Sequence, residues 1–188
     1  MRVLVLGANG FVGSTILCFL QEQNISNLGL TRNDLDFRNE NSYETLRRFI
    51  DQFLPNIIVN AIGSIDSKNT TSPLEIFCPI YLPCFYLFEY FKQNINLEPV
   101  KIVSFGSQAS GEPRQDYPLY ASIKQAEASL IITAREAFTE REITWDHIVL
   151  PRLKGGLGKG GSLNKISENE SRNLILNEFK KSVSFYLN

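Results

Sequence analysis

Val3-Leu-Val-Leu6 is a continuous apolar run without alternation, the pattern of a strand covered on both faces. Gly7-Ala-Asn-Gly10-Phe-Val-Gly13 follows at once, and then Ser14 to Gln21 with apolar residues at helical spacing. A buried strand, a glycine turn and a helix in direct succession constrain the fold more than any other stretch of the chain. A strand that is apolar on both faces and feeds a helix belongs in a parallel sheet with helices on either side. The glycines let the backbone approach a pyrophosphate, and the helix N-terminus offers it oriented N–H groups. The spacing is G-x-x-G-x-x-G rather than G-x-G-x-x-G. Glycine turns are common, so it is the position after an N-terminal buried strand that points to a dinucleotide. The phosphate cradle is expected from Gly7, Asn9, Gly10, Phe11, Val12 and Gly13.

The next elements repeat the alternation of strand and helix. Leu28 to Thr31 reads as the second strand, followed by Arg32. An acid at the end of this strand suits a ribose 2′-hydroxyl, whereas an arginine suits a 2′-phosphate. Arg32 therefore favours NADP, with NAD as the alternative, and a solvated loop arginine is the plainer reading. Asn33 to Phe37 reads as a turn and a very short third strand. Asp36 and Phe37 stand where an adenine would be flanked, and Asp36 is equally placed to cap the next helix. That helix is expected over 41–53, with Asn41 or Ser42 as N-cap, and Pro55 ends it. Ile57 to Ala61 is another buried strand. Asn60-Ala61-Ile62-Gly63 closes it with small residues near where a nicotinamide ribose would lie.

A polar loop at 64–72 leads to an aromatic helix over about 73–92, expected to be irregular at Pro79 and Pro83 because each removes a backbone donor. Leu74 to Phe91 is apolar enough to be weighed as a membrane span. Its prolines and its acids Glu75 and Glu89 favour a buried or interfacial helix instead. Its Phe and Tyr residues suit core or a dimer interface better than a ligand box. Lys101 to Phe105 is a fifth strand with a small-residue loop, Gly106 to Gly111, at its C-terminal end, the edge where open α/β sheets bind ligands. A helix over about 118–139, a sixth strand at 143–150 before Pro151, and a last helix at roughly 168–181 complete the chain. Val183 to Leu187 is expected to add an edge strand. His147 and Trp145, inside the sixth strand, read as packed side chains. Lys154 to Gly161 is glycine-rich, either a lid whose Lys154 or Lys159 meets phosphate or a flexible connection.

The expected architecture is α/β, a Rossmann-like doubly wound parallel sheet in three α/β/α layers, with strand order 3-2-1-4-5-6. One domain is expected over 1–188, with its core in 1–153 and a short substrate or lid region in 154–188. A net charge of −1 without a clustered basic face argues against nucleic acid as partner. Three cysteines (Cys18, Cys78, Cys84) and one histidine follow no metal-ligand spacing, so no metal site is expected and the thiols suit a reducing, cytoplasmic compartment. Met1 runs straight into the first strand, with no secretory signal ahead of it.

The chemistry is expected from Tyr120-Ala-Ser-Ile-Lys124, read with Ser107. Tyr and Lys four apart share a helix face. An ammonium beside a phenol favours the phenolate, lowering the tyrosine pKa from about 10 towards the working pH. Tyr120 is thereby a candidate proton donor to a carbonyl oxygen. Exposed helices carry such pairs by chance, so the pair acquires meaning only beside the glycine turn.

Together Gly7/Gly10/Gly13, Asn60 to Gly63, Ser107 and Tyr120-x-x-x-Lys124 resemble the short-chain dehydrogenase/reductase superfamily over roughly 1–153. The glycine spacing is similar to the extended epimerase/dehydratase branch. Thr31 to Asp36 and Pro55 to Ala61 look most like dTDP-4-dehydrorhamnose reductase and GDP-fucose synthase. The resemblance implies that Tyr120 is the general acid/base, that Lys124 lowers its pKa and holds the nicotinamide ribose, and that Ser107 (or Ser104 in another loop register) bonds the substrate oxygen. It implies cofactor contacts reaching to Pro151, a small-molecule substrate such as a nucleotide sugar, a role in polysaccharide biosynthesis, no membrane, and a homodimer through the helices at 73–92 and 118–139. The extended branch carries a sizeable C-terminal substrate region, and only a short stretch follows the sixth strand here. The function expected is NAD(P)-dependent hydride transfer to a carbonyl. A nucleotide-sugar epimerase or dehydratase and a non-catalytic NAD(P)-binding regulator are the alternatives.

Overall fold

A computed structural model describes residues 1–63, 72–94, 98–111, 117–151, 153 and 167–187. The strands are β1 (Arg2–Leu6), β2 (Ser26–Leu30), β3 (Ile57–Asn60), β4 (Val100–Ser107) and β5 (Ile143–Leu150). They form one five-stranded sheet, ordered β2-β1-β3-β4-β5, with every neighbouring pair parallel. The helices are α1 (Phe11–Glu22), α2 (Ser42–Phe53), α3 (Leu74–Gln93), α4 (Pro118–Ala137) and α5 (Glu168–Leu187).

Because side chains alternate along a strand, the apolar runs supply two cores. Val3, Val5, Ile57, Val59, Val103 and Phe105 pack with Ile16, Phe19 and Leu20 of α1 and Ile175, Phe179 and Val183 of α5. On the opposite face Leu4, Leu6, Ile58, Ile102 and Trp145 pack with Leu46 and Ile50 of α2, Leu87 and Tyr90 of α3, and Ile131 and Ala134 of α4. This is the expected three-layer, Rossmann-like arrangement. Register aligns Leu6 with Asn60, Asn60 with Ser104, and Ser104 with His147, a row across the sheet near its C-terminal edge. The loops beyond that row carry the site.

Three local expectations are corrected. The short third strand at 33–37 does not form, so the sheet has five strands and the remaining order is unchanged. Asp34 Oδ2 accepts from Thr31 N at 2.8 Å and Thr31 Oγ1 at 2.7 Å, while Leu35 N donates to Thr31 O at 3.0 Å. Those bonds fold the segment into a turn and take the donors a strand would need. Val183 to Leu187 is not an edge strand; it is the last part of α5, with Val183 buried against the sheet. The aromatic helix is not interrupted at Pro79 and Pro83; α3 runs through both, and their rings lie on its buried side. Packing of that face outweighs the two missing donors. Of the described helices, α3 alone is long and apolar enough to cross a membrane, and its inner face lies against the sheet.

A polar clasp ties α5 to the last strands. Asp146 Oδ2 lies 2.8 Å from Lys101 Nζ and accepts from Ser182 Oγ at 2.6 Å. Burial pushes the Asp146 carboxyl up, but these two bonds outweigh it and hold the group below its ordinary value. Its contribution is therefore complete above the unfolded carboxylate pKa and is lost as pH falls through the lower folded value. Phe179, fully buried and edge-on to Phe19 at 6.4 Å, is the apolar counterpart of that clasp. Phe179→Ala is expected to lower the unfolding free energy by about 3–5 kcal/mol, read by denaturant titration.

Candidate active site

The glycine turn is built as a cradle. Gly7 N and Ala8 N both donate to Leu30 O, at 2.9 and 3.0 Å, pinning the turn to the end of β2. Gly7 has a φ of +83°, where a side chain would be strained, and a Cβ there would lie 2.9 Å from Ala61 O. Gly13, in the first turn of α1, lies so close that a Cβ would sit 2.2 Å from Gly7 O. The helix N-terminus is thereby drawn against the turn, with its first N–H groups free of intrahelical partners. Arg172 of α5 closes the outer side, its guanidinium 4.8 Å from the Phe11 ring centroid and bonded to Thr15 Oγ1 at 2.9 Å.

Over this turn opens a cavity of about 460 Å³. Gly7, Asn9, Gly10, Phe11 and Val12 form its floor, Arg32, Asp36 and Phe37 one end, and Ala61, Ile62 and Gly63 the other. Each was expected from the sequence. Leu30, Thr31, Leu35, Pro79 and Leu153 also line it and were not expected. Gly13 and Asn60, expected at the site, lie beneath the cavity wall as structural supports. Tyr120, Lys124, Ser107 and Pro151 are not among its lining residues. The glycine-rich stretch 154–161 with Lys154 and Lys159, and nearly all of the polar loop 64–72, lie outside the described residues.

The end nearest β2 has a defined charge pattern. Arg38 grips Asp36, with Nε donating to Oδ1 at 2.9 Å and a second contact from Nη2 to Oδ2. The Arg38 guanidinium holds the Asp36 carboxyl down to about 2. Asp36 does not cap α2, whose N-cap is Asn41. Arg32 is exposed at the cavity, with no ion pair among the described residues.

One strand further along, α4 carries the tyrosine and the lysine. Pro118 stands at its first position, where a missing N–H costs nothing, and Tyr120 follows within the first turn. Tyr120 is half-buried against Ile76, Ile80 and Ile123. Lys124 is 2% exposed, and its Nζ lies 2.6 Å from Glu127 Oε2 and 3.3 Å from Phe105 O at the end of β4. Burial works against the ammonium, but the Glu127 carboxylate, together with Tyr120 and Cys84, outweighs it, so the amine holds its proton above its ordinary value. Glu127 Oε1 accepts from the Cys84 thiol at 3.5 Å, and Asn60 Nδ2 donates to Cys84 Sγ at 3.2 Å. Burial, reinforced by Glu127, pushes the Cys84 thiol far up, so it stays a neutral donor.

The two serines separate cleanly. Ser104 Oγ is wholly buried, accepting from Trp145 Nε1 at 2.9 Å and lying 3.7 Å from Cys84 Sγ, which removes it from reach of a substrate. Ser107 is half-buried at the last position of β4, where its Oγ accepts from Ala109 N at 3.2 Å and caps a 3₁₀ turn at Gln108–Ser110. No hydrogen bond joins it to Tyr120 among the described residues. His147 packs over Gly106, where a Cβ would lie 2.0 Å from its Nε2. That nitrogen is buried with no hydrogen-bond partner among the described residues, and burial, with Lys124 and Arg135 nearby, lowers the imidazole to about 4.

Glu127 was missed at the sequence level, although a signal existed. It follows Lys124 by three residues and Tyr120 by seven, so all three share one helix face, and that face is the one turned to the sheet.

The first 64 residues match the family model described as RmlD substrate binding domain. No curated protein matches the chain in sequence. Among solved structures, a short-chain dehydrogenase/reductase from Vibrio parahaemolyticus is similar with a TM-score of 0.77 at 13% identity, over 93% of this chain and 89% of that one. A short chain dehydrogenase from Burkholderia cenocepacia J2315, in complex with NADP, gives 0.76 at 14% identity over 95% and 84%. A GDP-L-fucose synthetase from Naegleria fowleri, bound to NADP, gives 0.66 at 14% identity, over 81% of this chain but 54% of that one, so the chain spans about half its length. The expected resemblance to short-chain dehydrogenases/reductases is borne out by the family match together with the shared Rossmann-like fold.

Gly13→Ala is expected to push α1 from the turn and cost about 1–3 kcal/mol, measured by thermal or denaturant unfolding.

Proposed function

We propose that the protein is a short-chain-type reductase that binds a nicotinamide cofactor along the glycine turn and reduces a carbonyl, with the keto group of a nucleotide sugar as the favoured substrate. One observation carries this reading. The cavity over the turn includes Ala61 to Gly63, just beyond β3, and the Tyr120–Lys124 helix docks on the end of β4, the adjacent strand. The cavity and the tyrosine helix thus both lie towards the C-terminal edge of the sheet, where parallel α/β folds bind ligands, and that supports the reading. The match of residues 1–64 to the RmlD model and the fold shared with a GDP-L-fucose synthetase support the sugar substrate.

In this reading Gly7, Gly10 and the α1 N-terminus hold the pyrophosphate, and Phe37 and Leu35 wall the adenine end. Arg32 meets a 2′-phosphate. Asp36 offers it little competition, because Arg38 already neutralises that carboxylate. NADP is favoured accordingly, with NAD as the alternative. The cofactor supplies the hydride. Tyr120 gives its phenolic proton to the carbonyl oxygen, Ser107 bonds that oxygen from the mouth of the site, and Lys124 provides the positive charge that stabilises the phenolate left behind. A homodimer through α3 and α4 belongs to the same proposal. Phe77, Tyr81 and Phe85 form a partly exposed ladder on α3, with centroids 5.1 and 6.2 Å apart.

A second reading, a binder that keeps the cofactor without turnover, draws on the separation of Ser107 from Tyr120 and on the capture of Lys124 by Glu127. The two differ in one assay. Under the reductase reading the protein oxidises NADPH with a 4-keto nucleotide sugar, and Tyr120→Phe lowers kcat by about 10²- to 10⁴-fold while the NADPH Kd is unchanged. Tight NADPH binding by calorimetry, with no turnover across a panel of keto-sugars and small carbonyls, would establish the binder. Arg32→Ser is expected to weaken NADPH at least about tenfold and leave NADH affinity in place.

A further inference from the structure

We propose that Glu127 is a positioning residue for Lys124: its buried carboxylate keeps the ammonium charged and fixed at the end of β4, between Tyr120 and the sheet. The catalytic consequence rests on the reductase reading above, whereas the pair itself is a matter of geometry.

The ammonium has three protons to place. One goes to Glu127 Oε2 at 2.6 Å and one to Phe105 O at 3.3 Å, so two of the three are placed by named acceptors. The groups around the amine are Tyr120 and Glu127 of α4, Cys84 of α3, the Phe105 carbonyl of β4 and His147 of β5. Cys84 is a neutral thiol, and His147 is neutral at ordinary pH. Glu127 is therefore the only carboxylate in contact with Lys124 among the described residues, and it is itself 0% exposed.

Magnitudes decide what it does. A lone ammonium this deeply buried is displaced downward by up to about 3–5 pKa units, which brings it into the working pH range. A neutral amine gives a phenolate nothing. A carboxylate beside the cation weakens its field, but the geometry limits the loss. Tyr120, Lys124 and Glu127 follow one another along a single helix face, and the backbone positions of Tyr120 and Glu127, on either side of Lys124 in the chain, are roughly 10 Å apart along the axis. A partly screened cation near the phenol outperforms an amine that has lost its proton. Cys84 fixes the second oxygen of Glu127, and Asn60 fixes Cys84, so the anchor reaches from α4 through α3 to β3.

The experiment has two arms. In the first, Lys124 Nζ is titrated through the ¹³Cε signal of labelled lysine, assigned by its loss in Lys124→Met. Wild type is expected to keep Lys124 charged beyond pH 10, and Glu127→Gln to bring its midpoint down by at least about two units. A Lys124 that stays charged in Glu127→Gln overturns the proposal, whatever the enzyme does. In the second, kcat is followed against pH in the direction of alcohol oxidation, where the rising limb reports the phenolate. Glu127→Gln is expected to move that limb alkaline by about one unit and lower kcat at pH 7 about tenfold, with Glu127→Asp restoring both. A limb that moves acid would show that the carboxylate opposes the phenolate, and overturns it. If no substrate is turned over by wild type, the reductase reading fails and the first arm still judges the pair. If Glu127→Gln does not fold, the double variant Lys124→Met/Glu127→Gln removes the stranded charge and is expected to recover folding. Failure to recover counts against the pair.

Discussion

A lysine side chain sealed from water imposes a condition on everything around it: its charge has to be balanced nearby or given up. In this chain the condition falls on Lys124, and Glu127, the Phe105 carbonyl, Cys84, Asn60, Ser104 and Trp145 form one connected polar cluster inside an otherwise apolar layer. Such a cluster is worth keeping only when its members are satisfied, because each unsatisfied polar group costs the full desolvation penalty. The cluster draws α3 and α4 onto β3, β4 and β5 at one place, directly behind the edge where the cavity opens. The packing of the sheet and the setting of Lys124 therefore share the same bonds.

The other half of the site obeys steric rather than electrostatic rules. Backbone meets backbone at Gly7 and Gly13, and the space left over the turn is what the cavity occupies. Charge enters only at the far end, where Arg38 ties up Asp36 and leaves Arg32 facing the cavity. The cavity joins a cationic side chain, Arg32, to the small residues Ala61 and Gly63 by way of the glycine turn.

Proximity to known folds divides in an instructive way. Compact short-chain dehydrogenases overlay nearly the whole chain, whereas the nucleotide-sugar enzyme overlays it with about half of its own length. The family match, to the RmlD substrate binding domain, is confined to residues 1–64.

Period and position along the chain were enough to determine the alternation of strand and helix, the parallel three-layer sheet, the close-packed glycine turn and the shared face of Tyr120 and Lys124. Each of those depends on local geometry: apolar runs, glycine where no Cβ fits, and residues four apart on a helix. What tertiary structure alone decided were matters of partnership. Asp34 took the donors of Thr31 and dissolved a strand; the core kept α3 continuous across two prolines; Ser104 turned inward to Trp145. Above all, Glu127 reached Lys124 at 2.6 Å in a layer closed to water. Spacing could place that carboxylate on the right face of the helix. Only the packing of α3 and β4 around it excluded the water that would otherwise have made the pair a weak surface contact.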